Sequence, residues 1–374
     1  MSSDAKSILP KFTELSELAG LSNGGQVIFS TDDWFATAEN MLKDAEPVFI
    51  ADKFTEYGKW MDGWETRRKR IPGHDWCIVK LGAPCNIKGI LVDTAFFTGN
   101  YAPRISIQGA CLSEYEESLL PVRQSKMGSA CSIEEVQQIS QLRTECWTEL
   151  VEMTNLKPGY EDTRKTYISV DTNEVCSYIR INIYPDGGVA RLRVFGTVVP
   201  DLNQFDQNDI IDLVAMENGG TCVGYSNAHF GHPRNLIKQH RGVNMGDGWE
   251  TMRRLDRPAI LEADSNGILK VPGCEWAIIK MCCLGYVKEV VVDTLHFKGN
   301  FPDSVKVEGT ILRTGETLSS AKWFTIVGNQ KLSANKEHFY KNEIHHSGPF
   351  SHVRVTMSPD GGISRVRLFG NKAE

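Results

Sequence analysis

Apolar and polar residues alternate along much of this chain, and few stretches show the 3.6-residue period of a helix. In residues 178–184, isoleucine occupies every second position. That period is typical of a strand with one buried face. Short, fully apolar runs at 77–79 and 90–92 suit strands inside a β-sandwich. The pattern therefore predicts an all-β protein.

Long segments of the first half of the chain recur in the second half. The repeated strings are Asp-Gly-Trp-Glu-Thr at 62–66 and 247–251, Val-Asp-Thr with a later Gly-Asn at 92–100 and 292–300, and Pro-Asp-Gly-Gly with Arg-x-Arg-x-Phe-Gly at 185–196 and 359–370. Solenoid repeats have periods of roughly 20–50 residues, so a repeat near half the chain predicts two similar domains instead. We place them at 1–199 and 200–374.

The length of 374 residues is enough for two domains that each bury their own core. Pro-Asp-Gly-Gly is a strong turn signal, and it joins two alternating segments in each copy. We therefore predict two tandem antiparallel jelly-roll β-sandwiches, related by internal duplication. The copies differ in length mainly in polar stretches such as 256–267, which we interpret as surface loops.

Charge and cysteine usage narrow the class of protein. A net charge of −6 provides no attractive field for nucleic acid or an anionic membrane, so we expect neither partner. Cys77, Cys85 and Cys274 have no cysteine counterpart in the other copy, which argues against a duplicated disulfide framework and favours reduced, mostly buried thiols. Residues 1–6 lack the apolar stretch of a secretory signal. We expect a cytoplasmic protein.

The duplicated Gly-Trp-Glu-Thr-x-Arg string is the first candidate for chemistry. It places a carboxylate and a guanidinium beside a large ring, so the glutamate can act as acid or base while the arginine clamps an anion. Alternatively, the tryptophan plugs the end of the sandwich while the glutamate and arginine pair with each other. The candidate residues are Trp64, Glu65 and Arg68 in the first copy and Trp249, Glu250 and Arg253 in the second.

A second candidate set follows a buried strand in each copy. Asp93 and Asp293 end apolar runs, where a buried carboxylate needs a partner or has a raised pKa. Asn100 and Asn300 follow in a loop that we expect to return to the same end of the sandwich. The alternative is that the Asp-Thr pair only caps a turn.

Arginine and histidine give weaker signals. Arg191 and Arg193 share one face of the last strand of the first copy, and we favour simple solvation there over a carboxylate-binding stripe. None of the nine histidines is matched across the copies, so shared chemistry cannot depend on histidine. No metal-ligand spacing stands out. We predict no particular cofactor, leave the metal ligands unassigned and leave a divalent metal open.

The paired motifs together resemble the allantoicase family, from Phe12 to Gly370 and in the same order in both copies. The resemblance implies jelly-roll domains similar to galactose-binding-like domains. It also implies hydrolysis of allantoate to ureidoglycolate and urea during purine breakdown through allantoin. A homo-oligomer is expected as well.

Allantoate carries a carboxylate and two ureido groups on one carbon. Release of urea needs a proton donor for the departing nitrogen, a base, and a cation for the carboxylate. We therefore predict catalysis by Glu65, Asp93, Glu250 and Asp293, with the tryptophans, arginines and asparagines of the same motifs binding substrate. Two alternatives are a non-catalytic binder of carbohydrate or small anions, and an enzyme with one active and one degenerate copy.

Overall fold

The computed structural model describes residues 9–313 and 315–373, which form two compact units within 1–199 and 200–374. Residues 1–6, on which the predicted location partly depends, lie outside the described part. Each unit is built mainly of antiparallel strands, as the alternating pattern predicts.

The first unit combines twelve strands with two short α-helices and several turns of 3₁₀-helix within the described residues. Its strands are β1 (Ser16–Glu17), β2 (Gln26–Ser30), β3 (Phe54–Thr55), β4 (Gly58–Lys59), β5 (Trp64–Glu65), β6 (Asp75–Asp93), β7 (Arg104–Ala110), β8 (Thr148–Asn155), β9 (Lys165–Ser169), β10 (Val175–Tyr184), β11 (Gly188–Val189) and β12 (Arg191–Val198). Its α-helices are α1 (Glu114–Ser118) and α2 (Ile133–Ser140), and its 3₁₀ turns are Lys11–Glu14, Leu21–Asn23, Ala38–Leu42 and Thr144–Cys146.

The second unit repeats the framework with ten strands and only 3₁₀ turns among the described residues. Its strands are β13 (Ile211–Asp212), β14 (Thr221–Tyr225), β15 (Trp249–Glu250), β16 (Glu275–Asp293), β17 (Ser304–Thr310), β18 (Phe324–Lys331), β19 (Glu337–Tyr340), β20 (Phe350–Ser358), β21 (Gly362–Ile363) and β22 (Arg365–Lys372). Its 3₁₀ turns are Leu202–Gln204, Met216–Asn218, Pro233–Ile237 and Met245–Asp247.

One long strand joins both layers of each sandwich. In the first unit, the N-terminal part of β6 pairs with β2 and β10, whereas its C-terminal part pairs with β9 and β12. The second unit repeats this with β16, whose N-terminal part pairs with β14 and β20 and whose C-terminal part pairs with β19 and β22. Each long strand has 19 residues. This topology confirms the predicted pair of antiparallel β-sandwiches.

The apolar runs form the cores, as predicted. Cys77, Ile78 and Val79 are fully buried, and so are Ile90 and Val92 further along the same strand. Burial of such side chains removes apolar surface from water at about 25 cal/mol per Å², so these runs hold the two layers together.

The prediction of one exposed face for residues 178–184 is wrong in the first unit and correct in its counterpart. The polar Arg180 is buried because its guanidinium lies 4.0 Å from the Trp76 ring and donates to Thr144 Oγ1 at 2.8 Å. Thr144 belongs to the segment in which the first copy is longer, and that segment includes α1 and α2. Along β20 of the second unit, buried and partly exposed residues largely alternate.

All ten cysteines are free thiols, as the unmatched positions predict. The expectation that most are buried is wrong, because only Cys77, Cys85 and Cys176 are fully buried. Within the described residues, no helix is long and apolar enough to cross a membrane.

Candidate active site

The three duplicated motifs meet at one place in each unit. The Trp-Glu motif forms β5, which pairs with β11 directly after the Pro-Asp-Gly-Gly turn, and β15 pairs with β21 in the same way. The Gly-Asn motif joins them because the amide of Gly188 donates to the carbonyl of Asn100 at 2.8 Å, as Gly362 does to Asn300. Segments that are distant in sequence therefore build one small assembly in each unit.

Close packing explains why the second glycine of each turn is required. A Cβ built on Gly188 would lie 2.1 Å from the ring of Phe97, and one on Gly362 would lie 1.9 Å from the ring of Phe297. No side chain fits at such distances. The aromatic residue after each Val-Asp-Thr motif thus fixes the turn against the Trp-Glu strand.

A buried ion pair fastens the assembly in each unit. Arg191 donates through Nη2 to Asp62 Oδ2 at 2.7 Å, and Arg365 does the same to Asp247. Burial favours a raised pKa for Asp62, but Arg191 and Lys43 lower the pKa of this carboxyl below its ordinary value. Arg191 is only 2% exposed, so the prediction of a solvated face is wrong at this position. The alternative of a carboxylate-binding stripe that substrate can reach is wrong at Arg191 for the same reason.

The duplicated tryptophans lie beneath the assembly. Trp64 and Trp249 are both 0% exposed, and their indole Nε1 groups donate at 2.8 Å to the carbonyls of Asp32 and Asn227. A ring with no exposed surface does not contact a dissolved substrate. This corrects the prediction that the two tryptophans bind substrate and favours the alternative in which they plug the sandwich.

The two aspartates that end the long strands also have structural partners. Asp93 is 2% exposed, and its carboxylate accepts from Arg164 Nη1 at 2.7 Å and from the amide of Ala95 at 2.8 Å. Burial, which outweighs these contacts, raises the pKa of Asp93. Asp293 is equally buried and accepts from Arg241 Nε at 2.9 Å. These contacts support turn formation, and catalysis by Asp93 and Asp293 stays a prediction.

A glutamate and an asparagine remain together in both units. Asn100 Nδ2 donates to Glu65 Oε1 at 2.7 Å, and Asn300 Nδ2 donates to Glu250 Oε1. Glu65 is buried, and this burial raises its pKa to about 7, against a smaller opposing effect of the Asn100 hydrogen bond. Glu250 is half-buried. Arg68 is exposed and forms no ion pair within the described part of the chain.

A cleft of about 460 Å³ opens beside Glu250 and Asn300, and we call it the second-unit cleft. Its lining includes Phe230, Glu250, Arg253, Arg257, Asn300, Asp303, Lys331 and Asp360. The structure thus brings together three residues of the predicted site, Glu250, Arg253 and Asn300. Asp293 does not line this cleft.

Two ion pairs neutralise four of the six charges around the second-unit cleft. They join Lys331 to Asp303 and Arg257 to Asp360. The remaining charges are the carboxylate of Glu250 and the guanidinium of Arg253, for which residues 9–313 and 315–373 provide no ion-pair partner. The cleft therefore offers a carboxylate for proton transfer and a cation for an anionic group.

The residues predicted from the sequence do not include Arg257, which lines the second-unit cleft. Arg257 belongs to the stretch 255–270, where the second copy is longer, and a polar insertion is easily read as a plain surface loop. The signal was an arginine close to the Trp-Glu-Thr motif in an insertion that adjoins it. Asp360, which belongs to the Pro-Asp-Gly-Gly turn, binds this arginine, with 2.6 Å between Arg257 Nη2 and Asp360 Oδ1.

The first unit has a hairpin where the second has open space. Strands β3 and β4 lie in the stretch where the first copy is longer. Tyr57 of this hairpin packs 5.7 Å from Trp34, and a Cβ built on Gly58 would lie 3.6 Å from the ring of Phe35. Phe230, the counterpart of Phe35, is 63% exposed and lines the second-unit cleft. The hairpin therefore covers a surface that the second unit leaves accessible.

Metal ligation has little support from side-chain placement. Among the residues that the structure describes, no group of three His, Cys, Asp or Glu side chains is arranged to hold a metal ion. His232, one of the histidines of the second copy, accepts from the amide of Arg234 at 3.0 Å.

Comparison with known proteins agrees with the duplicated framework. A family model described as the allantoicase repeat matches residues 16–199 and again residues 211–373. Proteins named "Probable allantoicase" from Acinetobacter baumannii strains SDF and AYE are each 41% identical over 363 residues, covering 96% of this chain and 94% of the relative.

Solved structures show the same relationship. A structure described as allantoicase aligns with a TM-score of 0.70 at 34% identity and covers 96% of this chain and 93% of that chain. The crystal structure of allantoicase from Saccharomyces cerevisiae aligns with a TM-score of 0.69 at 34% identity, covering 95% and 92%. The repeat model, the relatives and the architecture agree, and this chain belongs to the allantoicase family.

Proposed function

We propose that this protein hydrolyses allantoate to ureidoglycolate and urea in the degradation of purines through allantoin. The observation that carries the proposal is the second-unit cleft, where the carboxylate of Glu250 and the guanidinium of Arg253 lack ion-pair partners among the described residues. Family membership supports the same substrate. We place the reaction in this cleft and leave the first unit without a catalytic role.

Each group has a role that follows from the chemistry of the substrate. Arg253 attracts the carboxylate of allantoate, since a guanidinium binds a carboxylate through two parallel hydrogen bonds. Glu250 takes a proton from the attacking water and returns it to the nitrogen that leaves as urea. Asn300 donates to Glu250 Oε1 and so orients this carboxylate, which leaves Oε2 for the proton transfer.

The non-catalytic binding alternative is not favoured. Relatives named "Probable allantoicase" are 41% identical over 96% of this chain and support a hydrolase, and the duplicated tryptophans are buried and do not serve as platforms. A cytoplasmic location and a homo-oligomer remain proposals. The ten free thiols support a reducing compartment, and light scattering would determine the oligomeric state.

Urea release from allantoate tests the proposal directly. Purified protein is incubated with allantoate, and urea and ureidoglycolate are measured separately, with a heat-treated sample as control. We expect one urea and one ureidoglycolate for each allantoate consumed. Failure of the folded protein to release urea would contradict the proposal.

A further inference from the structure

Arg257 has unused hydrogen-bonding capacity in the second-unit cleft. Its Nη2 donates to Asp360 Oδ1 at 2.6 Å. Its Nε is buried and has no acceptor, and Nη1 likewise finds none within the described part of the chain. A buried donor without an acceptor costs roughly 1–3 kcal/mol. Because Nε is itself buried, the nitrogen left for an acceptor on a ligand is Nη1.

Two buried arginines that support the fold, Arg191 and Arg365, differ in this respect. Arg191 uses all three guanidinium nitrogens, with Nε bound to the carbonyl of Ala45, Nη1 to the carbonyl of Asp62 and Nη2 to its carboxylate. Arg365 is saturated in the same way. Arg164 Nε and Arg367 Nη1 are also buried without a hydrogen-bond partner. Neither of these two arginines lines the second-unit cleft, whereas Arg257 does.

Asp360 holds Arg257 in place. Its counterpart Asp186 has no arginine partner among the residues that the structure describes. Oδ2 of Asp360 accepts from the amide of Arg254 at 2.8 Å, as Asp186 accepts from the amide of Lys69 at 2.7 Å. The second oxygen of Asp360 binds Arg257, which the insertion provides only in the second copy. The duplicated turn therefore orients the guanidinium of Arg257 in the second unit.

The two guanidinium groups of the cleft suit different parts of the substrate. Arg253 has no ion-pair partner among the described residues and suits the carboxylate. Arg257 forms a neutral pair with Asp360 and suits a neutral group with a strong acceptor. We propose that Arg257 binds the carbonyl oxygen of the ureido group that departs as urea, an inference that rests on the proposed function.

This contact would act on the bond that breaks. The C–N bond between the central carbon and the ureido nitrogen breaks, and its electron pair moves to that nitrogen. Negative charge then spreads onto the ureido oxygen, where the donors of Arg257 stabilise it. Water supplies hydroxyl to the carbon, and its proton passes through Glu250 to the nitrogen, which completes urea. Arg257 is therefore assigned to the leaving group.

A crossover of two variants and two inhibitors tests the assignment. Arg257→Gln and Arg253→Gln are compared with Arg313→Gln, which removes an exposed arginine outside the cleft. Urea and glycolate serve as inhibitors that represent the ureido group and the carboxylate. For Arg257→Gln, we expect the inhibition constant of urea to rise about tenfold, that of glycolate to stay within about twofold, and kcat to fall roughly 10- to 100-fold.

The other variants give the complementary result. Arg253→Gln should weaken inhibition by glycolate and preserve inhibition by urea, and Arg313→Gln should change neither. Unfolding midpoints close to wild type would show that the folds are intact. Added guanidinium ion should restore part of the kcat of an Arg257→Ala variant, which a purely structural role would not permit.

Other outcomes would overturn the assignment. If Arg257→Gln weakens both inhibitors equally or neither, Arg257 does not recognise the ureido group, even when allantoate is still hydrolysed by the wild type. If the wild type releases no urea, the proposed function fails. In that case, ligand-observed NMR of urea and glycolate binding to the same variants shows separately whether Arg257 recognises the ureido group.

Discussion

The two units share a framework and differ in what surrounds one glutamate. In both, the glutamate follows a buried tryptophan and accepts a hydrogen bond from an asparagine. In the first unit, a hairpin packs nearby and Glu65 is only 9% exposed, whereas Glu250 borders the second-unit cleft. Both copies keep the assembly, and they differ in whether its glutamate borders an open cleft.

The largest difference should appear when each glutamate is replaced by glutamine. Glu250→Gln removes the group that we propose transfers the proton, so kcat should fall about 10²- to 10⁴-fold, the usual contribution of general acid–base catalysis. Glu65→Gln, the matched control, should keep kcat within about twofold. Urea release at saturating allantoate measures both variants. Equal losses would show that the two units contribute equally.

The framework, unlike the site, should respond equally in the two units. Asp62→Ala and Asp247→Ala each leave a buried arginine without its carboxylate, which should cost about 3–5 kcal/mol of unfolding free energy. Chemical denaturation of the whole protein measures this cost in the unfolding transition of the affected unit. Asp52→Ala, which removes an exposed carboxylate, is the control. A loss below about 1 kcal/mol in either unit would show that the ion pair does not fasten the assembly.

Glu65 should make stability depend on pH. Its pKa rises from 4.5 to about 7 on folding, so the folded state binds this proton more tightly than the unfolded state. The resulting stabilisation is fully present below pH 4.5 and is lost as the pH rises to about 7. Glu65→Gln resembles the protonated form. Its free energy of unfolding, relative to that of the wild type, should therefore increase by on the order of 3 kcal/mol across this window.

Unfolding by urea at pH 5 and pH 8 checks that change, and Glu152→Gln provides a control for the loss of an exposed charge. A constant difference between Glu65→Gln and wild type at the two pH values would mean that Glu65 is ionised throughout.

Replacing Arg67 by methionine, the residue at the matching position 252 of the second copy, should have a smaller effect. Arg67 pairs with Asp32 at 2.7 Å, but its side chain is 44% exposed, so solvent screens the pair. In a double-mutant cycle with Asp32→Asn, the coupling energy for Arg67→Met should be below about 1 kcal/mol. Coupling above about 2 kcal/mol would show that this position contributes to the difference between the units.

The sequence predicted the β-sandwiches well because the alternating and fully apolar runs determine which side chains enter the core. It also drew attention to Glu65 and Glu250, since both copies retain them, and their catalytic role stays a prediction. It did not distinguish a buried tryptophan from an exposed one, because a ring beside Gly and Glu suits either environment. Repetition alone therefore marks what both units need, and here that is mainly the framework.

The cleft residue that the sequence did not predict occurs in only one copy. Arg257 comes from an insertion without a counterpart, so comparison of the copies hides it. Its position depends on a contact with Asp360 that spans about a hundred residues of sequence. Such contacts follow from tertiary packing, which a local pattern does not specify.

The number of allantoate molecules bound per chain shows most directly whether only the second unit binds substrate. Isothermal titration calorimetry with the Glu250→Gln variant avoids turnover and counts the sites. We expect one site per chain, because only the second-unit cleft is proposed to bind allantoate. The Arg257→Gln change in the same background should weaken binding at that site. Two equivalent sites per chain would contradict it.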